Sequence, residues 1–193
     1  MKIYFNLNLE GFSNCYVITN EKNMEAVIID PGKITKEILQ QIEGGPFNLT
    51  AVLITHNHES HIRGLPTLKK IYTPKVFAAD YDLAGSSETI LKGDGIIKIA
   101  GLTIGYMAVS GHSADSLAYK IGRTIFIGDA LTSGIVGSTN SNYARRTLIS
   151  NLQTKILSQQ DDIILMPGHG PPVSVAAERK YNPAFQNLPK TIL

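Results

Sequence analysis

Every histidine in this chain follows an apolar run of β type. His56, His58 and His61 come after AVLIT (51–55), His112 after YMAVSG and His169 after IILMPG, and Asp129 closes TIFIG in the same way. A lone histidine is more often a satisfied structural residue than a ligand. Chance, however, gives no reason for all five imidazoles to share one placement. In an open α/β sheet, strand termini of like sense gather on one edge, which is where ligand sites form. Four separate strands would thus deliver their polar residues to one place.

The rest of the chain has the matching rhythm. KIYFNLNL, CYVITN and EAVIID read as strands, and 34–42 as a helix with Ile34, Ile38, Leu39 and Ile42 on one face. AVLIT is an apolar, β-branched run typical of a buried strand, and Gly64 to Ile71 reads as a short helix after a turn. KVFAA, IIKIA, LTIGYMAV, SLAYKI and TIFIG are further strands. A longer helix from about Tyr143 to Leu157 carries Leu148, Ile149, Leu152, Ile156 and Leu157 at helical spacing, and the strand DIILM follows. AVIID-Pro-Gly and TIFIG-Asp-Ala both place an aspartate at the end of an apolar strand, a faint trace of a duplicated sheet-plus-helix unit. The stretch 132–142, rich in Gly, Ser, Thr and Asn, reads as a loop facing either substrate or solvent. With 193 residues, 43% of them hydrophobic, and no linker or low-complexity tract, residues 1–193 are read as one domain around one core.

Charge and cysteine content narrow the chemistry. The net charge is +2 with the basic residues scattered, so no counterion-releasing surface for nucleic acid is evident. The N-terminal MKIYFNLNLEGFSN lacks the pattern of a leader, and no run approaches the ~18 apolar residues of a membrane span. The expectation is a soluble, cytoplasmic protein acting on a small molecule, with neither nucleic acid nor membrane as partner. Cys15 is the only cysteine, which excludes an internal disulfide or a multi-thiolate cage and leaves histidine and carboxylate as ligands. Cys15 itself reads as a packed thiol.

In the extended segment after a strand, residues two apart point the same way. His56 and His58 can therefore grip one metal while His61, at the following turn, faces a second position. His112 can complete a three-histidine site, Asp129 can touch either metal or bridge both, and His169, set in PGHGPP, belongs to the second. Neutral imidazole with carboxylate suits zinc, iron or manganese rather than calcium.

THNHESHIRG, SGHSADS, FIGDA and MPGHGP, in this order and spacing, resemble the successive metal motifs of the metallo-β-lactamase superfamily. The likeness runs from FSNCYVI to the NPAF near the C-terminus and is greatest to the short, glyoxalase II-like hydrolases. It implies an α/β fold, a four-layer αβ/βα sandwich with the metals at one edge of two facing sheets. It also implies one zinc ion, or two, with His56, His58 and His112 holding one metal, His61 and His169 the other, and Asp129 bridging. Asp30 in IIDPG matches a family aspartate near the site and either supports the ligands from behind or shapes a turn.

One position departs from the family. Where the pattern H-x-H-x-D-H has an aspartate that binds the second metal and lies near the nucleophile, this chain has Ser60. A neutral hydroxyl is a poor ligand beside a carboxylate, so the second position keeps His61, Asp129 and His169 but loses a negative charge. Asp129 and Ser60 are carried as candidate catalytic residues; the adjacent Glu59 reads as solvated or as reaching in. After MPGHGP comes VSVAAERKYNPAF rather than the helical domain that supplies glutathione contacts in full-length glyoxalase II. Arg145 and Arg146, at the start of an amphipathic helix, read as solvent-facing, with an anionic substrate as the other option. The implied reaction is hydrolysis of a small ester or thioester by a metal that brings the pKa of its water to near ~7. The rivals are a mononuclear iron oxygenase resembling persulfide dioxygenases, using His56, His112 and Asp129, and a metal-binding module whose activity lapsed with the change at Ser60.

Overall fold

The computed structural model describes residues 1–186. Two sheets face each other. One has five strands in chain order: β1 (Lys2–Asn8), β2 (Ser13–Asn20), β3 (Glu25–Ile29), β4 (Asn48–Leu53) and β5 (Lys75–Phe77). Its first three strands are antiparallel, and β3, β4 and β5 run parallel through the helices α1 (Lys36–Glu43), α2 (Glu59–Ile62) and α3 (Leu65–Ile71). A short helix α4 (Tyr81–Ala84) leads to the second sheet. That sheet uses β6 (Gly95–Ile99), β7 (Leu102–Ala108), β8 (Leu117–Ile121) and β9 (Thr124–Gly128). After a small hairpin of β10 (Leu131–Thr132) and β11 (Ile135–Val136) and the helix α5 (Asn142–Asn151), it adds β12 (Ile164–Pro167) and β13 (Val173–Ser174). The strand order is β13-β12-β9-β8-β7-β6, with β12 parallel to β9. Helices α6 (Val175–Tyr181) and α7 (Pro183–Gln186) close the described chain.

The layers follow from strand alternation. In β2, Tyr16 and Ile18 point between the sheets, where they meet Leu53, Ile104, Tyr119 and Phe126, while Cys15 and Val17 point out to Ile38, Ile42, Leu65 and Leu68 of the helices. On the far side, Ile125, Ile127 and Leu165 meet Leu148, Leu152, Ile156 and Val175. Helix, sheet, sheet, helix is the four-layer sandwich that the sequence implied. Truncating one of these fully buried side chains to alanine costs about 2–5 kcal/mol. Thr50 is an extra residue in β4, since Ala26 pairs with Leu49 but Val27 with Ala51. This bulge flips the phase of alternation, so Leu49 faces outward although Ala51 and Leu53 face inward.

Three local expectations are corrected. The first helix starts at Lys36 because Thr35 caps it by accepting from Ile38 N; Ile34 precedes the helix, and Leu39 is only half-buried, outside the apolar cluster. The long helix is α-helical to Asn151 and π-helical from Leu152 to Ile156, closed by Leu157 N donating to Leu152 O at 2.7 Å. The stretch 132–142 shares in the β10–β11 hairpin, pinned where the buried Glu178 accepts from Gly134 N at 2.6 Å.

Strand direction sets the place of the polar loops. β3 and β4 are parallel, and β7, β9 and β12 share one direction, because β8 lies antiparallel between β7 and β9. The carboxyl ends of all five strands open on one edge of the sandwich. β2, antiparallel to β3, begins there.

Candidate metal centre

Asp129 stands at the middle of this edge. His56 Nε2, His112 Nε2 and His169 Nε2 lie 3.7, 3.8 and 3.4 Å from its Oδ2, and His61 Nε2 lies 3.3 Å from its Oδ1. His58 turns the other ring nitrogen inward, with Nδ1 3.1 Å from His112 Nε2. Two groups result, each with its ligand atoms within 4.8 Å of one another: His56, His58, His112 and Asp129, and then His61, Asp129 and His169. All six residues expected as ligands are therefore brought together, in the expected two sets.

Four imidazoles are anchored through Nδ1, which leaves Nε2 to point inward. His112 Nδ1 donates to the Ser138 carbonyl and His169 Nδ1 to the Phe12 carbonyl, each at 2.9 Å. His61 Nδ1 donates to Asp30 Oδ2 at 3.0 Å. His56 Nδ1 lies 3.0 Å from Thr55 Oγ1, whose hydroxyl donates to Asp30 Oδ2 at 2.7 Å. Asp30 Oδ1 accepts from Thr55 N at 2.8 Å, so this one carboxylate orients two imidazoles from behind. Asp30 is buried and has φ of +50°, so it both supports the ligands and makes the turn after β3.

Charge is distributed unevenly. Burial, reinforced by His61, pulls the His56 pKa down to about 3, so its imidazole is neutral. Burial also lowers His58, with His112 adding to the effect. Burial acts downward on His61 too, but Asp30 and Asp129 outweigh it and hold the pKa up at about 10. Burial would raise Asp129, yet His61 beside it at 3.3 Å, with His56 and His169, brings it to about 2, an ionised carboxylate.

The donor set fits a metal. Nε2 of His56, Nε2 of His61 and Oδ1 of Asp129 are buried with no hydrogen-bond partner among the described residues. Leaving such groups unsatisfied costs about 1–3 kcal/mol each. A cation beside each cluster satisfies them at once, and zinc, iron and manganese all accept imidazole with carboxylate.

Ser60 lies beside His61 on α2, half-buried; its carbonyl accepts from Ser13 Oγ at 2.7 Å, and its hydroxyl makes no hydrogen bond among the described residues. It lines a cleft with Lys33, Arg63 and Thr67. Glu59 is exposed and pairs with Arg63 at 3.8 Å rather than reaching inward. Arg145 and Arg146 are exposed on α5. Sequence reasoning missed Thr55, which relays Asp30 to His56, and Asn14, whose amide donates to Pro167 O and Gly170 O at 2.9 and 2.8 Å. Thr55 is adjacent to His56 in the chain and could have been weighed; Asn14 has no local signature.

Comparison with known proteins agrees with this geometry. The family described as the Metallo-beta-lactamase superfamily matches residues 9–173. Hydroxyacylglutathione hydrolase GloC of Haemophilus influenzae is 28% identical, over 88% of this chain and 91% of its own. Among solved structures, ETHE1 from Myxococcus xanthus superposes with a TM-score of 0.84 at 25% identity, covering 98% of this chain and 93% of that one. The BLEG-1 B3 metallo-beta-lactamase gives a TM-score of 0.84 at 24% identity, covering 96% of this chain and all of the other, a likeness of fold.

Proposed function

Because the chain belongs to the metallo-beta-lactamase superfamily, we propose that it is a metal-dependent hydrolase acting on a small ester or thioester. The observation that carries the reading is the convergence of five imidazoles on Asp129, with buried ring nitrogens unpartnered and aimed inward. The choice of ester or thioester is supported by the likeness to the relative named a hydroxyacylglutathione hydrolase. His56, His58, His112 and Asp129 would hold one ion, and His61, Asp129 and His169 the other. A zinc, iron or manganese ion there supplies Lewis acidity, acidifying water and polarising a carbonyl oxygen.

The chain's own residues supply orientation and charge. Four Nδ1 anchors fix the imidazole rings, so little reorganisation is needed when substrate arrives. Asp129, ionised down to about pH 2, places its negative charge between the two ligand sets at any working pH. No described helix is long and apolar enough to cross a membrane.

A panel of thioesters, simple esters and β-lactams, run on protein loaded with zinc, iron or manganese, tests the proposal. Esters or thioesters are expected to turn over faster than lactams. A lactam as best substrate, or no hydrolysis with any metal, would sink it. The second cluster offers three ligand groups where the first offers four, which favours a second reading as a mononuclear iron oxygenase with His56, His112 and Asp129 on the metal. Oxygen consumption by the iron-loaded protein identifies that case.

A further inference from the structure

Asn14 is fully buried at the start of β2, on the five-stranded sheet, and all its donors go to the end of β12 and the loop after it, on the other sheet. Its backbone N–H donates to Gly168 O at 2.7 Å, and its side-chain Nδ2 donates to Pro167 O at 2.9 Å and Gly170 O at 2.8 Å. These three carbonyls bracket His169. Ser13 and His169 form a β-bridge, and Tyr16 Oη adds a bond to Pro167 O at 2.6 Å. Oδ1 of Asn14 is left buried without a partner among the described residues. An unsatisfied acceptor costs about 1–3 kcal/mol; what the asparagine supplies in exchange is two donors on one nitrogen, at the reach the two carbonyls require.

We propose that Asn14 is a positioning residue for the second metal cluster, fixing the His169 loop against His61 across the seam between the sheets. The proposal rests on the two-ion reading of the site. His61 comes from α2, after β4, and His169 from the end of β12, so their spacing depends on how the two sheets are tied at this edge. The fit is close: a Cβ on Gly168 would lie 2.2 Å from Asp129 Oδ1 and 2.6 Å from His61 Cε1. The first cluster has a separate tie, in which Leu117 N donates to Thr55 O at 2.8 Å and Tyr119 Oη to Ile54 O at 2.7 Å. The two ties share no residue, so each can be cut without cutting the other, although Asp129 belongs to both clusters.

The test is a stepwise zinc titration of the natural protein, Asn14→Asp, Tyr16→Phe and Tyr119→Phe, with each position read by anomalous diffraction and the melting of chelated protein recorded alongside. Asn14→Asp keeps the shape but cannot donate to the two carbonyls. It should weaken the second position by about 10–100-fold, the range for groups that orient ligands, and leave the first unchanged. Tyr16→Phe should shift the same position less, and Tyr119→Phe the first position instead. Should Asn14→Asp fail to fold, Tyr16→Phe, which removes one hydroxyl, decides the question by the same criterion. Unchanged filling of the second position, or equal weakening of both, overturns the proposal. A natural protein that takes up only one ion overturns the two-ion reading and this proposal together.

Discussion

Asp30→Asn probes the carboxylate that stands behind two of the ligands. Asparagine tolerates the left-handed backbone at this position, φ +50°, so the turn survives. The amide keeps one oxygen for Thr55 N but turns an NH2 toward Thr55 Oγ1 and His61 Nδ1, which now meet a donor instead of an acceptor. In the neutral imidazole that would bind metal, the single proton then moves to Nε2, the nitrogen facing Asp129. Second-cluster metal affinity is expected to fall about 10–100-fold. Metal-free protein gives an independent readout. Burial opposes charging of His61, but Asp30 and Asp129 hold its pKa at about 10 instead of 6.5. A pKa raised on folding contributes stability that is fully present below pH 6.5 and is lost as the pH climbs toward 10. That interval corresponds to on the order of 5 kcal/mol net of the burial penalty, and Asp30 is the first of the groups that oppose the penalty, so its loss costs on the order of a few kcal/mol. Each kcal/mol moves the Tm of a chain this size by roughly 2–4 °C, which puts the variant roughly 5–10 °C lower at pH 6. The gap should narrow toward pH 10. Calorimetry of both chelated proteins across that range measures it, and a gap independent of pH, or undiminished metal affinity, would refute the reasoning.

Two other substitutions act on the same cluster. Ser60→Asp restores a carboxylate next to His61 and is expected to raise second-position occupancy, each tenfold gain in affinity corresponding to ~1.4 kcal/mol; equal filling of both positions in the natural protein, unchanged by the substitution, would contradict the charge argument. Gly168→Ala drives a methyl group against Asp129 Oδ1 and His61 Cε1 and is expected to lower kcat/KM about 100-fold, as a displacement near 1 Å can; wild-type turnover by a folded variant would show that the loop yields freely.

The candidate ligand set was legible because all five histidines, and Asp129 with them, follow apolar β-type runs, a shared placement that chance does not explain. The nearly unbroken apolar character of CYVITN and EAVIID likewise carried the layered fold, since both faces of a central strand must be apolar. What was hidden lies in cross-chain polar contacts. Asn14 sits 153 residues from Pro167, and a side chain that bonds to distant backbone leaves no periodic pattern. The π-helical turn at Leu152–Ile156 was equally silent, because Leu148, Leu152 and Ile156 fit an unbroken α-helix. The β10–β11 hairpin was masked by its polar composition; its turn is held by Glu178, which is 44 residues away from Gly134. Asp30 could be located but not assigned, because a turn and a hydrogen-bond relay ask for the same residue there.

The two sheets divide the candidate ligands evenly: His56, His58 and His61 on one, His112, Asp129 and His169 on the other. Neither half can bind an ion as the whole does. During folding the site therefore comes into being only when the sheets dock, and the chain between His56 and His169 must already be ordered, a closure whose entropy is met before any metal can repay it. Once bound, the ion behaves as a late clasp. It should retard the parting of the sheets far more than it hastens their meeting, lengthening the lifetime of the folded protein while leaving its rate of formation nearly untouched.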